Sequence, residues 1–309
     1  MTQEAGDRHG DASGRSLVAL CADGHYALPA CVTVLTLGLR WSGPGRLTVR
    51  CFVDSSFDGQ HEASLLAVAA AVDIDAAVVR VDSVLDHIRN ALPPVRFPHL
   101  SPMAWLRLYL PELLTDCATV LYVDCDVVVC ASVSPLMRRP AGDVVLAAVR
   151  DYGIPELGTP HLADGRIELA EHEAGLPYFN SGLLLVDIAR WIDTGVREAA
   201  ERAARSGPDS RGPLFGDQDA LNSAIKGRFE VLDPRWNVTP LNTVRKVLDF
   251  EFQGGAYLPP AYLRHLEEHP WIMHYATRVK PWSDEFPGGR PRELWCAAAA
   301  DVKAIAKTV

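Results

Sequence analysis

Residues 121–129 read LYVDCDVVV, an apolar run carrying two carboxylates one residue apart. Val, Leu and Tyr favour a strand buried on both faces, where an unpaired charge is costly. Side chains i and i+2 of a strand share a face about 6–7 Å apart, so Asp124 and Asp126 read as neighbours. Like charges that close need a proton or a cation between them. Three chemistries compete: the pair holds a metal, one member is a nucleophile, or both lie past the strand's end in water. Hard cations such as Mn²⁺ and Mg²⁺ take carboxylate oxygens and are commonly completed by substrate phosphates. Other polar residues also interrupt apolar surroundings. Asn180 and Ser181 break the run YFNSGLLLVDIARW (178–191), and Arg107 sits among Trp105, Leu106, Leu108 and Tyr109. Asp217 and Gln218 open DQDALNSAIKG (217–227), which reads as a helix with the acidic first turn that the macrodipole favours. There is no GxGxxG after a strand, no GxxxxGK[ST], no GxSxG elbow and no HExxH, which argues against a Rossmann site, a P-loop, an α/β-hydrolase and a zincin.

The surrounding elements set where these side chains stand. SLVALCAD (16–23) reads as a buried strand, YALPACVTVLTLGLRW (26–41) as a helix and LTVRCFVD (47–54) as a second strand. HEASLLAVAAAV (61–72) follows as a helix and AAVVRVD (76–82) as a third strand. This alternation predicts βαβ units and a parallel sheet. SPMAWLRLYLPELL (101–114) reads as one helix, with Ser101 as N-cap and Pro102 at its first position. After LYVDCDVVV come a strand DVVLAAVRD (143–151), a polar excursion (152–177) suited to covering substrate, and YFNSGLLLVDIARW as strand then helix. SGPDSRGP (206–213) is turn-rich, and periodicity weakens beyond residue 240. Ligands of such sheets bind outside the carboxyl ends of the strands. The strands end in Asp23, Asp54, Asp82, and Asp124 with Asp126. Asp23 and the Asp pair are thus expected on one rim, with Asp54 and Asp82 as turn starters.

The 309 residues suit one large α/β domain or two smaller ones, and a net charge of −9 argues against nucleic-acid or anionic-membrane partners. Basic residues are mostly Arg; the five lysines are Lys226, Lys246, Lys280, Lys303 and Lys307, which makes the position of each informative. Seven cysteines without a CxxC pair argue against a disulfide framework or a zinc site and fit a reducing cytoplasm. Residues 1–15 read as a disordered tail without an apolar leader core, 16–285 as a single domain and 286–309 as a helical extension. No apolar run approaches the ~18 residues of a membrane span. Asn237-Val-Thr239 matches a glycosylation sequon, but Pro240 follows and secretion is not expected.

Asp124-Cys-Asp126-Val-Val128 also fits the DxDx[TV] of haloacid-dehalogenase-type phosphatases, with Gly216-Asp-Gln-Asp219 as a loose later acidic motif. That chemistry wants a lysine between the two motifs, and residues 127–216 contain none. Six segments in order, ADGHY (22–26), Arg107 within SPMAWLRLYL, LYVDCDVVV, YFNSGLLLVDIARW, GDQDALN and MHYATRVKPW, resemble instead glycosyltransferase family 8, retaining enzymes that use nucleotide-sugars. The resemblance spans residues 17–282. It implies the nucleotide-diphospho-sugar transferase fold of GT-A type, an α/β/α sandwich with a mainly parallel central sheet. It implies that Asp124, Asp126 and His274 hold Mn²⁺, with Mg²⁺ as the alternative, against the phosphates of a UDP-sugar. Lys280 resembles the family's phosphate-binding lysine. Ala22, Asp23, His25 and Tyr26 match the segment on the uracil and ribose, Tyr26 by stacking. Arg107, Asn180, Asp217 and Gln218 match the sugar end and the catalytic set, with Cys125, Ser181 and Thr277 beside the donor and His99 near it. Two positions depart from the pattern: Thr277 stands where the family commonly has Gly, and His25 where a bacterial relative carries Asn.

The implied reaction moves a hexosyl group, galactose or glucose, from UDP to an acceptor hydroxyl with retention. Gln218, matching the residue nearest the reacting face, is an amide and a poor nucleophile. That favours front-face substitution, with Gln218 stabilising the cationic sugar and Asp217 as the fallback nucleophile for double displacement. Few basic residues follow Trp282, which favours a soluble small-molecule or oligosaccharide acceptor over a lipid-linked one. A non-catalytic nucleotide-sugar-binding protein is the competing class.

Overall fold

Nine strands and eleven α-helices are found in a computed structural model that describes residues 16–94, 101–159, 170–206, 213–248 and 258–307. The strands are β1 (Leu17–Ala22), β2 (Thr48–Val53), β3 (Asp75–Arg80), β4 (Thr119–Val123), β5 (Val127–Val129), β6 (Leu146–Arg150), β7 (Phe179–Asp187), β8 (Glu230–Val231) and β9 (Ile272–His274). Seven form one sheet in the order β3-β2-β1-β4-β7-β6-β8, and β5 pairs with β9 in a second. Every neighbouring pair of the large sheet is parallel except the two made by β7, so β7 alone runs against the rest. The expected mainly parallel α/β architecture is what the chain adopts.

Both faces of this sheet are covered, which is why its central strands read as unbroken apolar runs rather than alternating ones. Val18, Leu20, Leu121, Val123, Leu183 and Leu185 face one core, and Leu17, Ala19, Val120, Tyr122, Leu184 and Val186 face the other. The first core is roofed by α1 (Ala27–Arg40), α2 (Gly59–Ala71) and the C-terminal α11 (Arg290–Ala306). The second packs α3 (Asp82–Ala91), α4 (Met103–Leu106), α5 (Leu110–Leu113), α6 (Ile188–Asp193), α7 (Val196–Arg205) and α8 (Asp217–Ile225). Beyond residue 240, where periodicity weakened, the chain forms α9 (Leu241–Leu248) and α10 (Pro260–Glu268) before β9.

Several expectations are corrected. LYVDCDVVV is not one strand: β4 ends at Val123, and Val127–Val129 belong to the other sheet. The Asp pair stands in the turn between them. Thr33 of α1, wholly buried, holds that turn by donating its hydroxyl to the carbonyls of Cys125 at 2.8 Å and Val127 at 3.1 Å. The stretch 101–114 is likewise not one helix but two short ones, α4 and α5, parted at Arg107–Tyr109. Pro111 accounts for the break, since it lacks an N–H and its ring crowds the carbonyl four residues back, that of Arg107. Pro102 rather than Ser101 is the N-cap of α4, with Ser101 Oγ accepting from the Met103 N–H at 3.3 Å. Asp54 starts its turn, accepting from the Ser56 N–H at 3.0 Å, whereas Asp82 opens α3 and accepts across the rim from the Ser55 N–H at 2.8 Å. The tail 1–15, His99, and residues 160–169 and 207–212 of the two loops lie outside the described residues.

Helix α11 buries Trp295, Ala298, Ala299 and Val302, with the Trp295 ring 5.8 Å from that of Tyr275 and 4.6 Å from that of Trp282. The sequence around the site therefore rests on this helix. Trp295→Ala should lower stability by about 3–5 kcal/mol in equilibrium urea unfolding. An unchanged midpoint would show that α11 lies outside the cooperative core.

Candidate active site and metal centre

A cavity of about 800 Å³ opens at the carboxyl ends of β1, β4 and β6. Because β7 runs the other way, its first residues, Asn180 and Ser181, reach the same rim. The N-terminal turn of α8 brings Asp217 and Gln218 there, and the segment after β9 brings Ala276, Thr277 and Lys280. Met103, Ile154, Phe215 and Leu241 supply apolar wall.

β5 pairs with β9 so that Val127 stands opposite His274, and this register carries the imidazole to the Asp turn. His274 Nε2 lies 3.4 Å from Asp124 Oδ2 and 3.4 Å from Asp126 Oδ1. One ligand atom from each of the three lies within 4.8 Å of the others, the single such cluster of three among the described residues. Ligands about 2.1 Å from a shared octahedral ion would stand about 3–4 Å apart, so the set fits a divalent cation. Two hard carboxylates with one imidazole suit Mn²⁺ or Mg²⁺ better than a soft metal. Gly182 makes the fit feasible: a Cβ there would stand 2.2 Å from His274 Cε1 and 2.8 Å from Asp124 Oδ2.

The acids are answered by buried cations. Arg107, set inward where α4 breaks, reaches Asp124 Oδ1 at 3.0 Å through Nη2 and Asp217 Oδ2 at 2.9 Å through Nε. Its Nη1 donates to the Ser181 carbonyl at 2.8 Å and to Ser181 Oγ at 2.9 Å. Lys280 Nζ donates to Asp126 Oδ2 and to the Tyr275 carbonyl, both at 2.7 Å. Tyr122 donates its hydroxyl to Asp124. Burial would raise both metal-side carboxyls, but Arg107 holds Asp124 below the ordinary carboxylate range and Lys280 with His274 does the same for Asp126. Burial dominates at Asp217 and pushes it up to about 6, against the pull of Arg107. At His274 burial favours the neutral ring, yet hydrogen bonds and charge from the two carboxylates outweigh it and carry the imidazole up to about 9.

The remaining expected residues fall as follows. Ala22, Asp23, Tyr26, Cys125 and Thr277 line the cavity, whereas His25 is exposed and is not among the lining residues. Asp23 caps a short helical turn, accepting from the Tyr26 N–H at 3.2 Å, and Tyr26 meets Trp282 edge-on at 6.0 Å. Thr277, where a glycine is common, has no positive φ, and its hydroxyl donates to the Val279 carbonyl at 3.0 Å. The strained backbone that a glycine would relieve is therefore absent at Thr277. Asp217 is the first residue of α8 and not its cap, which is Gly216. Gln218 accepts from the Ser181 N–H at 3.0 Å and donates to Asp151 Oδ2 at 3.2 Å. Asn180 donates to the same Asp151 oxygen at 3.0 Å.

Asp151, Asn237 and Tyr122 receive no role at the site from sequence alone. Asp151 follows β6 as Asp23 follows β1, so the acid at a strand's end was a usable signal. Asn237, buried behind His274 with its Oδ1 2.8 Å from His274 Nδ1, offered none.

The family model described as Glycosyl transferase family 8 matches residues 17–285. General stress protein A of Bacillus subtilis (strain 168) is 27% identical over 192 residues, 61% of this chain and 62% of that protein. Glycosyltransferase GlyE of Streptococcus pneumoniae serotype 4 is 26% identical over 207 residues, 65% of this chain and 42% of that protein. The chain thus spans less than two thirds of the length of either relative. Among solved structures, the galactosyltransferase LgtC in complex with donor and acceptor sugar analogues shares the fold, with a TM-score of 0.68 at 22% identity over 95% of this chain and 96% of that one.

Gly182→Ala tests the cradle. The added methyl forces His274 or Asp124 aside, so Mn²⁺ affinity should fall at least about tenfold. The overpacking itself costs about 1–3 kcal/mol, which leaves the protein folded by circular dichroism. Wild-type Mn²⁺ affinity in this variant would refute the proximity of the three ligands.

Proposed function

The chain belongs to glycosyltransferase family 8, and on that footing we propose that it moves a hexose, galactose or glucose, from a UDP-sugar to an acceptor hydroxyl with retention of configuration. The observation that carries the reading is the Asp124–Asp126–His274 cluster, with its ligand atoms within 4.8 Å, set in one cavity with Arg107 and Lys280. Membership in this family removes the phosphatase alternative.

Asp124, Asp126 and His274 would hold Mn²⁺, or Mg²⁺, which supplies charge neutralisation for a departing diphosphate without a proton. Lys280, adjacent to Asp126, and Arg107, adjacent to Asp124, are two cations of the cavity that a diphosphate at the cluster would meet. Tyr26 lines the cavity and is the ring suited to stacking on the base, beside Asp23. Asn180, Asp217 and Gln218 bind and orient the sugar. Gln218 is held between the Ser181 amide and Asp151, so its dipole is fixed before the sugar develops positive charge. An acceptor hydroxyl then attacks the face that the diphosphate leaves, and the leaving phosphate oxygen takes its proton. Asp217, paired with Arg107 and Ser181, keeps Arg107 in place.

Among the described residues no helix is long and apolar enough to cross a membrane. A small soluble molecule or an oligosaccharide is the acceptor class we favour, on the acidic balance of the chain.

Two measurements test the proposal. UDP release with Mn²⁺ should occur from UDP-galactose or UDP-glucose, and Asp126→Asn should abolish it along with Mn²⁺-dependent UDP binding; full turnover in excess chelator would sink the metal role. A protein that binds UDP yet releases none from any UDP-sugar would be the non-catalytic member instead. Gln218→Ala should slow transfer about 10²–10³-fold, the scale of losing one stabilising dipole, while calorimetry still registers UDP binding. Transfer at the wild-type rate would remove Gln218 from the catalytic set.

A further inference from the structure

We propose that Asn237 is a positioning residue for the metal centre: it accepts a hydrogen bond from the Nδ1–H of His274, so that Nε2, facing Asp124 and Asp126, is the nitrogen that gives up its proton and presents a lone pair when a cation binds. The inference rests on the metal reading above and concerns a residue outside the cavity lining. A neutral imidazole has one lone pair, and the hydrogen bond made by the other nitrogen decides which atom carries it.

The direction of each hydrogen bond follows from one backbone donor. The Gly182 N–H donates to Asn180 at 3.0 Å, so that atom of Asn180 is its Oδ1. The other end of the Asn180 amide is then Nδ2, which donates to the carboxylate of Asp151 at 3.0 Å. Asn180 Oδ1 lies 2.9 Å from Asn237, which must present Nδ2 to it. The opposite atom of Asn237 is therefore Oδ1, an acceptor, and it lies 2.8 Å from His274 Nδ1. Nδ1 consequently donates, and Nε2 is left facing the two carboxylates at 3.4 Å each. Reversing either amide would set two donors or two acceptors face to face in the interior.

The backbone keeps Asn237 where this requires. It ends a helical turn over Pro234–Asn237, and the chain then pairs with β9: the Val238 N–H donates to the Ile272 carbonyl and the His274 N–H to the Val238 carbonyl, both at 2.9 Å. Asn237 is 2% exposed, and its Nδ2 is already engaged, which also rules out its use as a glycosylation acceptor in the folded chain.

Mn²⁺ affinity of the full chain, measured by the loss of the free-ion electron paramagnetic resonance signal with and without UDP, tests the assignment in Asn237→Asp and Asn237→Leu. Aspartate still accepts from Nδ1 but sets its second oxygen against Asn180 Oδ1, so affinity should fall less than in the leucine variant. Leucine cannot accept, and affinity should fall about 10–100-fold, the usual effect of removing a partner behind a ligating histidine. Should the leucine variant fail to fold, Asn237→Ala provides the same comparison. Thermal unfolding run alongside separates this from a packing role, under which metal affinity would track stability in both variants. Wild-type affinity in a folded leucine or alanine variant overturns the inference while leaving the proposed function standing, as does an aspartate variant that falls as far as the leucine one. A wild-type protein that binds no Mn²⁺ under either condition overturns both.

Discussion

Three carboxylates are withdrawn from water at one rim of the sheet, and the local structure is organised by the need to answer their charge. Asp126 and Asp217 are buried, and the Asp124 side chain is 20% exposed. Removing one partner of such a pair typically costs about 3–5 kcal/mol, because a charge is left alone in a poor solvent. Arg107 is the most connected of the partners. It comes from the break between α4 and α5 and touches the ends of β4, β7 and α8 through Asp124, Ser181 and Asp217. A lysine could not replace it, since a single ammonium lacks the fork that serves several acceptors in one plane.

Backbone irregularity is the means by which these charges meet. Had the strand run on through residue 129, Asp124 and Asp126 would project from one sheet with no route to both Lys280 and the imidazole. The change of sheet at Asp124–Asp126 instead lets the Asp126 carbonyl accept from the Tyr275 N–H at 3.0 Å while its carboxylate meets Lys280. Thr33 and Thr36 of α1 stabilise that exit, Thr36 Oγ1 accepting from the Val129 N–H at 3.1 Å. Two buried threonines in an apolar helix are thus explained by the turn they hold, and Gly182 by the side chains that meet above it.

The architecture was legible because strands covered on both faces are apolar throughout and alternate with helices, a pattern visible in one dimension. The Asp turn was not. An apolar run reads the same whether its two halves lie in one sheet or two, and only the partner strands, β7 for one half and β9 for the other, distinguish the cases. The helix break at Arg107 could have been read from Pro111, whose geometry is local. Asp151 could have been read from its place after a strand. Asn237 could not, because its role depends on pairing with a strand 35 residues later in the chain, and asparagine before a β-branched residue carries no signature of that kind.

Asp151 gives these observations a common anchor. Its Oδ2 accepts from both Asn180 and Gln218, the two amides proposed to meet the sugar, and Asn180 passes the same order through Asn237 to His274. Both amides present an N–H to the same Asp151 oxygen, which fixes which way they point, and a third amide and an imidazole follow. The halves proposed for the sugar and for the metal are therefore one hydrogen-bonded unit and not two sites that share a cavity. Within such a unit, polarity is transmitted along the chain of donors and acceptors, and the orientation of a ring at β9 depends on an acid at the end of β6. That dependence explains why Asn180, Asn237 and His274, buried and far apart in sequence, are tolerated in largely apolar surroundings: each satisfies the next.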